Sequence, residues 1–195
     1  MKENLYLFRQ WGIEFDEDGP FLCPLHYGEG SHANTWISKH AKANHKPHRW
    51  NKCGLYAMRE LPSAPDWVGG IWGMVSLYGQ IIEYEDGEYR GEEADIEGIF
   101  WPRCGRCGKK AESWTLELGL CRHCIDKNHP AIASMGAVMF GLKDRYNVPI
   151  ADWPGDYREI SKATQVLLSQ GHRNVHGVGG QGLIGGFLDT FPDYP

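Results

Sequence analysis

Four cysteines of this chain stand in two CxxC units, "CGRCG" beginning at Cys104 and Cys107 and "CRHC" at Cys121 and Cys124, with thirteen residues between the units. Two thiolates on each of two tight turns can surround one ion tetrahedrally, and the intervening "GKKAESWTLELGL" is long enough to return as a hairpin. Glycines at 105 and 108 relieve the first turn, so that backbone N–H groups can approach the sulfurs. Zinc, or an equivalent tetrahedral ion, is the chemistry this spacing suits best. An iron–sulfur centre, a redox pair and simple packed thiols are the competing readings, and a redox CxxC would follow a strand in a βαβ unit and need no twin. Four cysteine ligands close the coordination shell, so the ion would organise structure rather than activate water.

The remaining cysteines, Cys23 and Cys53, lie in "CPLH" and "HKPHRWNKCG". With His26, His45 and His48 they offer five donors, any four of which would satisfy a second tetrahedral ion. Against this stand an ordinary packed thiol at Cys23, histidines on polar loops, with His32 and His40 as further examples, and an open Cys/His catalytic site.

A third group of chemistry-bearing residues is acidic. Glu83 and Glu85 flank Tyr84, and Glu88, Glu92, Glu93, Asp95 and Glu97 follow closely. Paired carboxylates can hold magnesium or divide acid and base roles, but no companion nucleophile, phosphate-binding loop or HExxH motif accompanies them. The run reads as a solvated face or an interaction surface, with Trp72, Tyr84 and Tyr89 near the contact centre and Glu83 and Glu85 selecting a basic protein partner. Arg103, Arg106, Lys109, Lys110 and Arg122 surround the CxxC units with Trp114 between them, a combination that could clamp phosphates and stack a base of a nucleic acid. Glu112, Glu117 and Asp126 dilute that patch.

The elements that would position these groups are mainly strands. "LYLFRQWGIEFDEDG" reads as a strand ending in an acidic turn at Asp16 to Gly19, with "PFLC" returning. Around residues 79–89, Ile82 and Tyr84 alternate with Glu83 and Glu85, Asp86-Gly87 offers a turn, and Tyr89 begins the return strand. Glycines at 69, 70, 73 and 79 suit bends or bulges. Between Gly28 and Asn44, Trp36, Ile37, His40 and Ala41 recur at helical spacing behind Ser31, so one short helix is expected there. A helix is expected from Pro130, with Ile132, Met135, Met139 and Leu142 on one side. A second runs from Asp156 and Glu159, a capping-box pair, to Gly171. The last stretch, from Gly171, has seven glycines in its first sixteen residues and reads as an extended arm carrying Leu183, Ile184 and Phe187.

Composition agrees with a globular chain: 195 residues, 42% hydrophobic and 23% charged, with eight tryptophans. The net charge of -5 is uneven, residues 61–101 carrying one Lys/Arg against nine Asp/Glu. That argues against a protein whose whole surface tracks a phosphate backbone. No window reaches the apolar length of a membrane span and the N-terminus lacks a signal-peptide run, so a cytoplasmic protein is expected.

Two resemblances enter here. The unit over residues 101–126 resembles zinc ribbons, which implies a structural metal and an association with nucleic acid, with protein partners or with neither. "CGLYAMRE" from Cys53, followed by "GQIIEYEDGEYRGEEA" from Gly79, resembles a pattern of uncharacterised actinobacterial and phage proteins. That pattern is a Cys-Gly-Ile-Tyr-Ala segment followed by one containing Glu-His-Glu-x-Gly-Tyr-Arg. Leu55, Tyr84 and Gly91 depart from it. The resemblance covers residues 20–97 and implies a small β domain and a phage or mobile-element origin, with no activity attached. It also implies a Cys and a His upstream of the Cys-Gly motif, which favours pairing "CPLH" with "HRWNKC".

The expected architecture is α+β: a small, strongly curled antiparallel β domain over 1–101, a zinc-ribbon-like unit over 102–127, a two-helix segment over 128–171 and a Gly-rich tail over 172–195. The expected function is a zinc-stabilised regulatory or adaptor protein. A nucleic-acid-binding protein is the alternative, and a metal-dependent enzyme, which would need an open metal position or a working carboxylate pair, is the third.

Overall fold

The computed structural model describes residues 5–24, 36–50, 53–61, 70–115 and 118–153. Alternation along β1 (Leu5–Asp16) sends Leu7, Trp11 and Ile13 into the main apolar cluster and Phe8 into a second cluster on the opposite face. Asp16 caps the turn by accepting from the Asp18 N–H at 3.0 Å, and β2 (Gly19–Cys23) returns antiparallel with Gly12 opposite Cys23.

The two longest strands, β5 (Ile71–Glu83) and β6 (Glu88–Trp101), form the hairpin expected around Asp86-Gly87. Its register shifts between Met74 and Val75 and between Tyr78 and Ile81, beside Gly73 and Gly79. At Gly73 a Cβ would collide with the Gly98 carbonyl oxygen, so only glycine lets the strands approach this closely. β5 pairs with β1, β6 pairs with β4 (Leu55–Met58), and β4 returns to β1 through Phe8 opposite Met58. Strands β1, β5, β6 and β4 therefore close into a ring, the strong curl expected of this domain.

The short helix expected between Gly28 and Asn44 is not formed where the chain is described. His40–Lys42 is a strand, β3, antiparallel to β6, with Ala41 turned inward. Its N–H and C=O groups complete an otherwise unpaired edge of β6, a tertiary gain that outweighs local helical spacing.

In the C-terminal part of the described chain, Ser113–Trp114 (β7), Gly119–Leu120 (β8) and Ala133–Ser134 (β9) form a three-stranded sheet. The helix expected from Pro130 starts later, as α1 (Met135–Tyr146), with Ser134 as N-cap accepting from the Ala137 N–H. It is displaced because the preceding backbone is already committed: the Ile132 N–H donates to the Trp114 carbonyl and Ala133 pairs with Trp114. Ile132, expected on the buried stripe, is 49% exposed, and the buried face is Met135, Val138, Met139, Leu142 and Tyr146. Asn147, at φ 49°, ends the helix in the left-handed conformation. β10 (Ile150–Asp152) then adds to β6 in parallel, so the larger sheet is mixed rather than purely antiparallel. Among the described residues there is one helix; the helix expected over 156–171 and the tail over 172–195 lie outside them.

The main apolar cluster joins all three parts: Trp11 and Val75 from the ring, Met139 and Leu142 from α1, and Ala111 and Trp114 from the cysteine-rich unit. Tyr146 is the polar fastener of this assembly. Its buried hydroxyl accepts from the Leu22 N–H at 2.9 Å and donates to the Trp36 carbonyl at 2.7 Å. Tyr146→Phe keeps the ring and orphans both backbone groups, so a loss of about 1–3 kcal/mol is expected in urea unfolding. An unchanged midpoint would show that neither bond contributes.

The uneven charge has a structural explanation. Lys42 reaches Glu93 at 3.1 Å and Lys46 reaches Glu92 at 3.6 Å. Arg90 pairs with Glu88 at 2.6 Å and Arg59 with Glu83 at 3.2 Å. Cations from the first sixty residues thus lie along the acidic β5–β6 hairpin and offset much of its charge.

Candidate metal centre and hairpin cleft

Each CxxC unit is built as a tight turn. In the first, the Cys104 N–H donates to the Lys109 carbonyl at 2.5 Å and the Gly108 N–H donates to the Cys104 carbonyl at 2.9 Å, with Gly108 at φ 70°. In the second, the Cys124 N–H donates to the Cys121 carbonyl at 2.9 Å. The β7–β8 hairpin brings the turns face to face, and the Gly105 N–H donates to the Gly119 carbonyl at 3.0 Å. The four sulfurs all lie within 4.8 Å of one another, and Cys107 and Cys121 are 3.6 Å apart. Tetrahedral Zn–S bonds of about 2.3 Å place sulfurs roughly 3.8 Å from each other, so the cluster has the dimensions of a metal site.

Cys104 and Cys121 are buried, with Leu120, against Leu118 and Ile125, while Cys107 is exposed. Burial opposes ionisation of Cys104, yet N–H groups of Cys121, Arg106 and Cys107 directed at its sulfur bring its thiol down to about 6. Cys124 is pushed up to about 12, first by its thiol contact with Cys107 and then by desolvation. A thiolate at Cys104 therefore opposes a second at Cys124, and holding both charged calls for a cation between them.

Arg106 braces the second knuckle from outside. Its Nη1 donates to the Cys124 carbonyl at 2.9 Å and to Asp126 Oδ2 at 2.6 Å, and its Nη2 lies 2.7 Å from His129 Nδ1. The Arg106 hydrogen bond, followed by contacts from His129 and the Asn128 N–H, holds the Asp126 carboxyl well below the usual carboxylate range. Lys110 is engaged with Asp152 at 2.5 Å and lies over the Trp101 ring at 4.5 Å. Arg103 donates to the Gly108 carbonyl at 3.3 Å. Trp114, the expected stacking platform, is 1% exposed and belongs to the core, which is a correction to the nucleic-acid surface read from sequence. Lys109 and Arg122 remain exposed.

Among the described residues the second set of metal donors is not brought together. His26 lies outside the described residues, and any four of the five would include three of Cys23, His45, His48 and Cys53. Among the described residues those do not converge. His48 and Cys53 face each other across an antiparallel bridge, but Cys23 sits on β2, buried near Glu14, with its thiol pushed up to about 11 by desolvation and then by that carboxylate.

The aromatics expected at a contact centre also separate. Trp72 is buried with Phe8, Phe100 and Trp153, and Tyr89 is 2% exposed, so both are core rather than surface. The Tyr89 hydroxyl donates to Glu83 at 2.5 Å and accepts from Arg59. Burial first, then the Glu83 hydrogen bond, pushes its phenol up. Tyr84 is half-buried and donates to the His48 carbonyl at 2.9 Å, and Glu83 and Glu85 are exposed.

The turn end of the β5–β6 hairpin instead forms an open cleft of about 620 Å³ that includes Arg49, Arg59, Ile81, Ile82, Glu83 and Glu85. Trp50, next to Arg49 in the chain, is 89% exposed. Sequence reasoning missed Arg49, Trp50 and Arg59. Arg49 and Trp50 carried one signal, a tryptophan set in the polar run "HRWNK", where no apolar periodicity calls for it, and Arg59 carried none.

Among the described residues no helix is long and apolar enough to cross a membrane. Comparison with family models, with curated proteins and with solved structures finds no match for this chain.

Proposed function

We propose that this chain is a zinc-stabilised adaptor that engages a protein partner with the turn end of its β5–β6 hairpin. The observation that carries this reading is the open cleft at that end, whose lining residue Arg49 is followed in the chain by a tryptophan that is 89% exposed. An indole left in water is a usual anchor of a protein contact, and the cleft is lined by both apolar and ionic side chains. The four-cysteine centre, on this reading, holds one zinc ion and has a structural role: it keeps the β7–β8 turns together and so supports Trp114 beneath them. The ribbon's basic edge is a weaker candidate surface, because Arg106 and Lys110 are held by acidic neighbours and Trp114 is covered.

Site-directed photo-crosslinking tests the reading. A photoreactive phenylalanine analogue at position 50 is expected to yield a discrete protein adduct, competed by excess unlabelled chain but not by its Trp50→Ala variant. The same analogue at exposed Lys143, on α1, is expected to yield none. Equal adducts from both positions, or none from position 50, would refute the hairpin end as the contact surface.

A further inference from the structure

The charges of the β5–β6 hairpin and of the cleft at its end can be sorted by whether the fold already satisfies them. Glu83 is shared by Arg59 and Tyr89, and Glu88 is held by Arg90. Asp95 is held by His40 and Tyr78, and Glu97 accepts from Ser76 Oγ at 2.6 Å. Among the described residues, two ionic groups of the cleft have no such partner: Arg49 and Glu85. Ile81 and Ile82, both half-buried, line the same cleft, and Trp50 follows Arg49.

We propose that this cleft binds an internal segment of a partner protein in which an acidic, an apolar and a basic side chain follow closely. The partner's carboxylate pairs with Arg49, its apolar side chain lies on Ile81 and Ile82, and its cation pairs with Glu85. The proposal rests on the reading of the hairpin end as the contact surface and adds the partner's chemistry.

Three simpler occupants fit less well. A polyanion meets Glu83 and Glu85 on the cleft wall, and a polybasic segment meets Arg49 and Arg59. An uncharged apolar segment would cover Arg49 and Glu85 without pairing either, which opposes binding. A mixed segment alone avoids every like-charge contact. The cleft is open rather than enclosed, which suits a segment passing across it more than a buried chain end.

A charge exchange tests this. Two end-capped, fluorescein-labelled peptides, Gly-Ser-Glu-Leu-Trp-Lys-Ser-Gly and its counterpart with lysine in place of glutamate, are titrated with the metal-loaded full chain and followed by fluorescence anisotropy. The wild type is expected to bind the glutamate peptide and not the lysine peptide. Arg49→Glu is expected to weaken binding of the glutamate peptide by about tenfold or more and to gain the lysine peptide. Arg49 is exposed and unpaired among the described residues, so the variant should keep the wild-type thermal transition. Affinity indifferent to the charge at position 49, or a lysine peptide that fails to bind the variant, overturns the proposal. So does a wild type that binds neither peptide. In that last case, crosslinking through position 50 separates the two ideas: if specific adducts persist, the contact surface stands and only the assigned partner chemistry falls.

Discussion

Replacing Cys121 with serine is expected to abolish metal retention. Native mass spectrometry of the wild type should show one zinc per chain, and the variant none. Cys121 is 3% exposed and lies 3.6 Å from Cys107, so a shorter, less acidic hydroxyl there cannot complete a four-sulfur shell. In isolated zinc-finger peptides a structural zinc contributes about 10–16 kcal/mol near neutral pH. The loss here should be smaller, because Ala111 and Trp114 hold the same unit to the main core. Acid should act like the mutation. Protons compete with any metal held by thiolates, so occupancy is expected to be favoured at higher pH and to fall as pH is lowered and the sulfurs are reprotonated. A chromogenic chelator should therefore draw zinc from the wild type faster as the solution is acidified. Stoichiometric zinc in Cys121→Ser would exclude the four-cysteine centre as the metal site.

Trp114→Ala is expected to cost about 3–5 kcal/mol, the range for removing a large aromatic from a packed interior. Against a total stability of roughly 5–15 kcal/mol this leaves a marginal protein. The mechanism is a cavity where the cysteine-rich unit meets α1, since Trp114 is 1% exposed and shares a cluster with Met135, Val138 and Met139. Differential scanning calorimetry with zinc present should show a drop of roughly ten degrees or more. If Trp114 instead stacked a nucleic-acid base, the melting temperature would hold while affinity for single strands fell. The two outcomes separate a core residue from a recognition residue. Trp114→Ala and Cys121→Ser act on one hairpin, so their effects should not add.

Local chemistry made some of this structure legible in the sequence. The Asp16 and Asp86-Gly87 turns announced their hairpins, and the paired CxxC units announced a cluster whose sulfurs do meet. What could not be read depends on partners far along the chain. His40–Lys42 is a strand because β6 offers an edge, and Ala133–Ser134 is one because β7 does. Neither carries its own signal, and the second delays the helix that periodicity begins at Pro130. Charge was legible as a count but not as pairs: the acidic hairpin looked available until Lys42, Lys46 and Arg59 were found against it. The cleft draws on residues near positions 49, 59 and 81–87, which only the ring of strands gathers. The N-terminal donors illustrate the converse, since their spacing was suitable but Cys23 ends β2 while Cys53 lies in an isolated bridge with His48.

The Tyr146 hydroxyl joins backbone positions 110 and 124 residues earlier in the chain, at Trp36 and Leu22. Synthesis runs from the N-terminus at about 5–20 residues per second, so β1 and β2 leave the ribosome seconds before the side chain that fastens them. The ring cannot close until β6 has emerged either, because β6 is the strand that pairs with both β4 and β5. For that interval the apolar faces of Leu7, Trp11 and Leu22 have no native cover. The nascent first half should therefore be a client for a holding chaperone, released when α1 becomes available to dock.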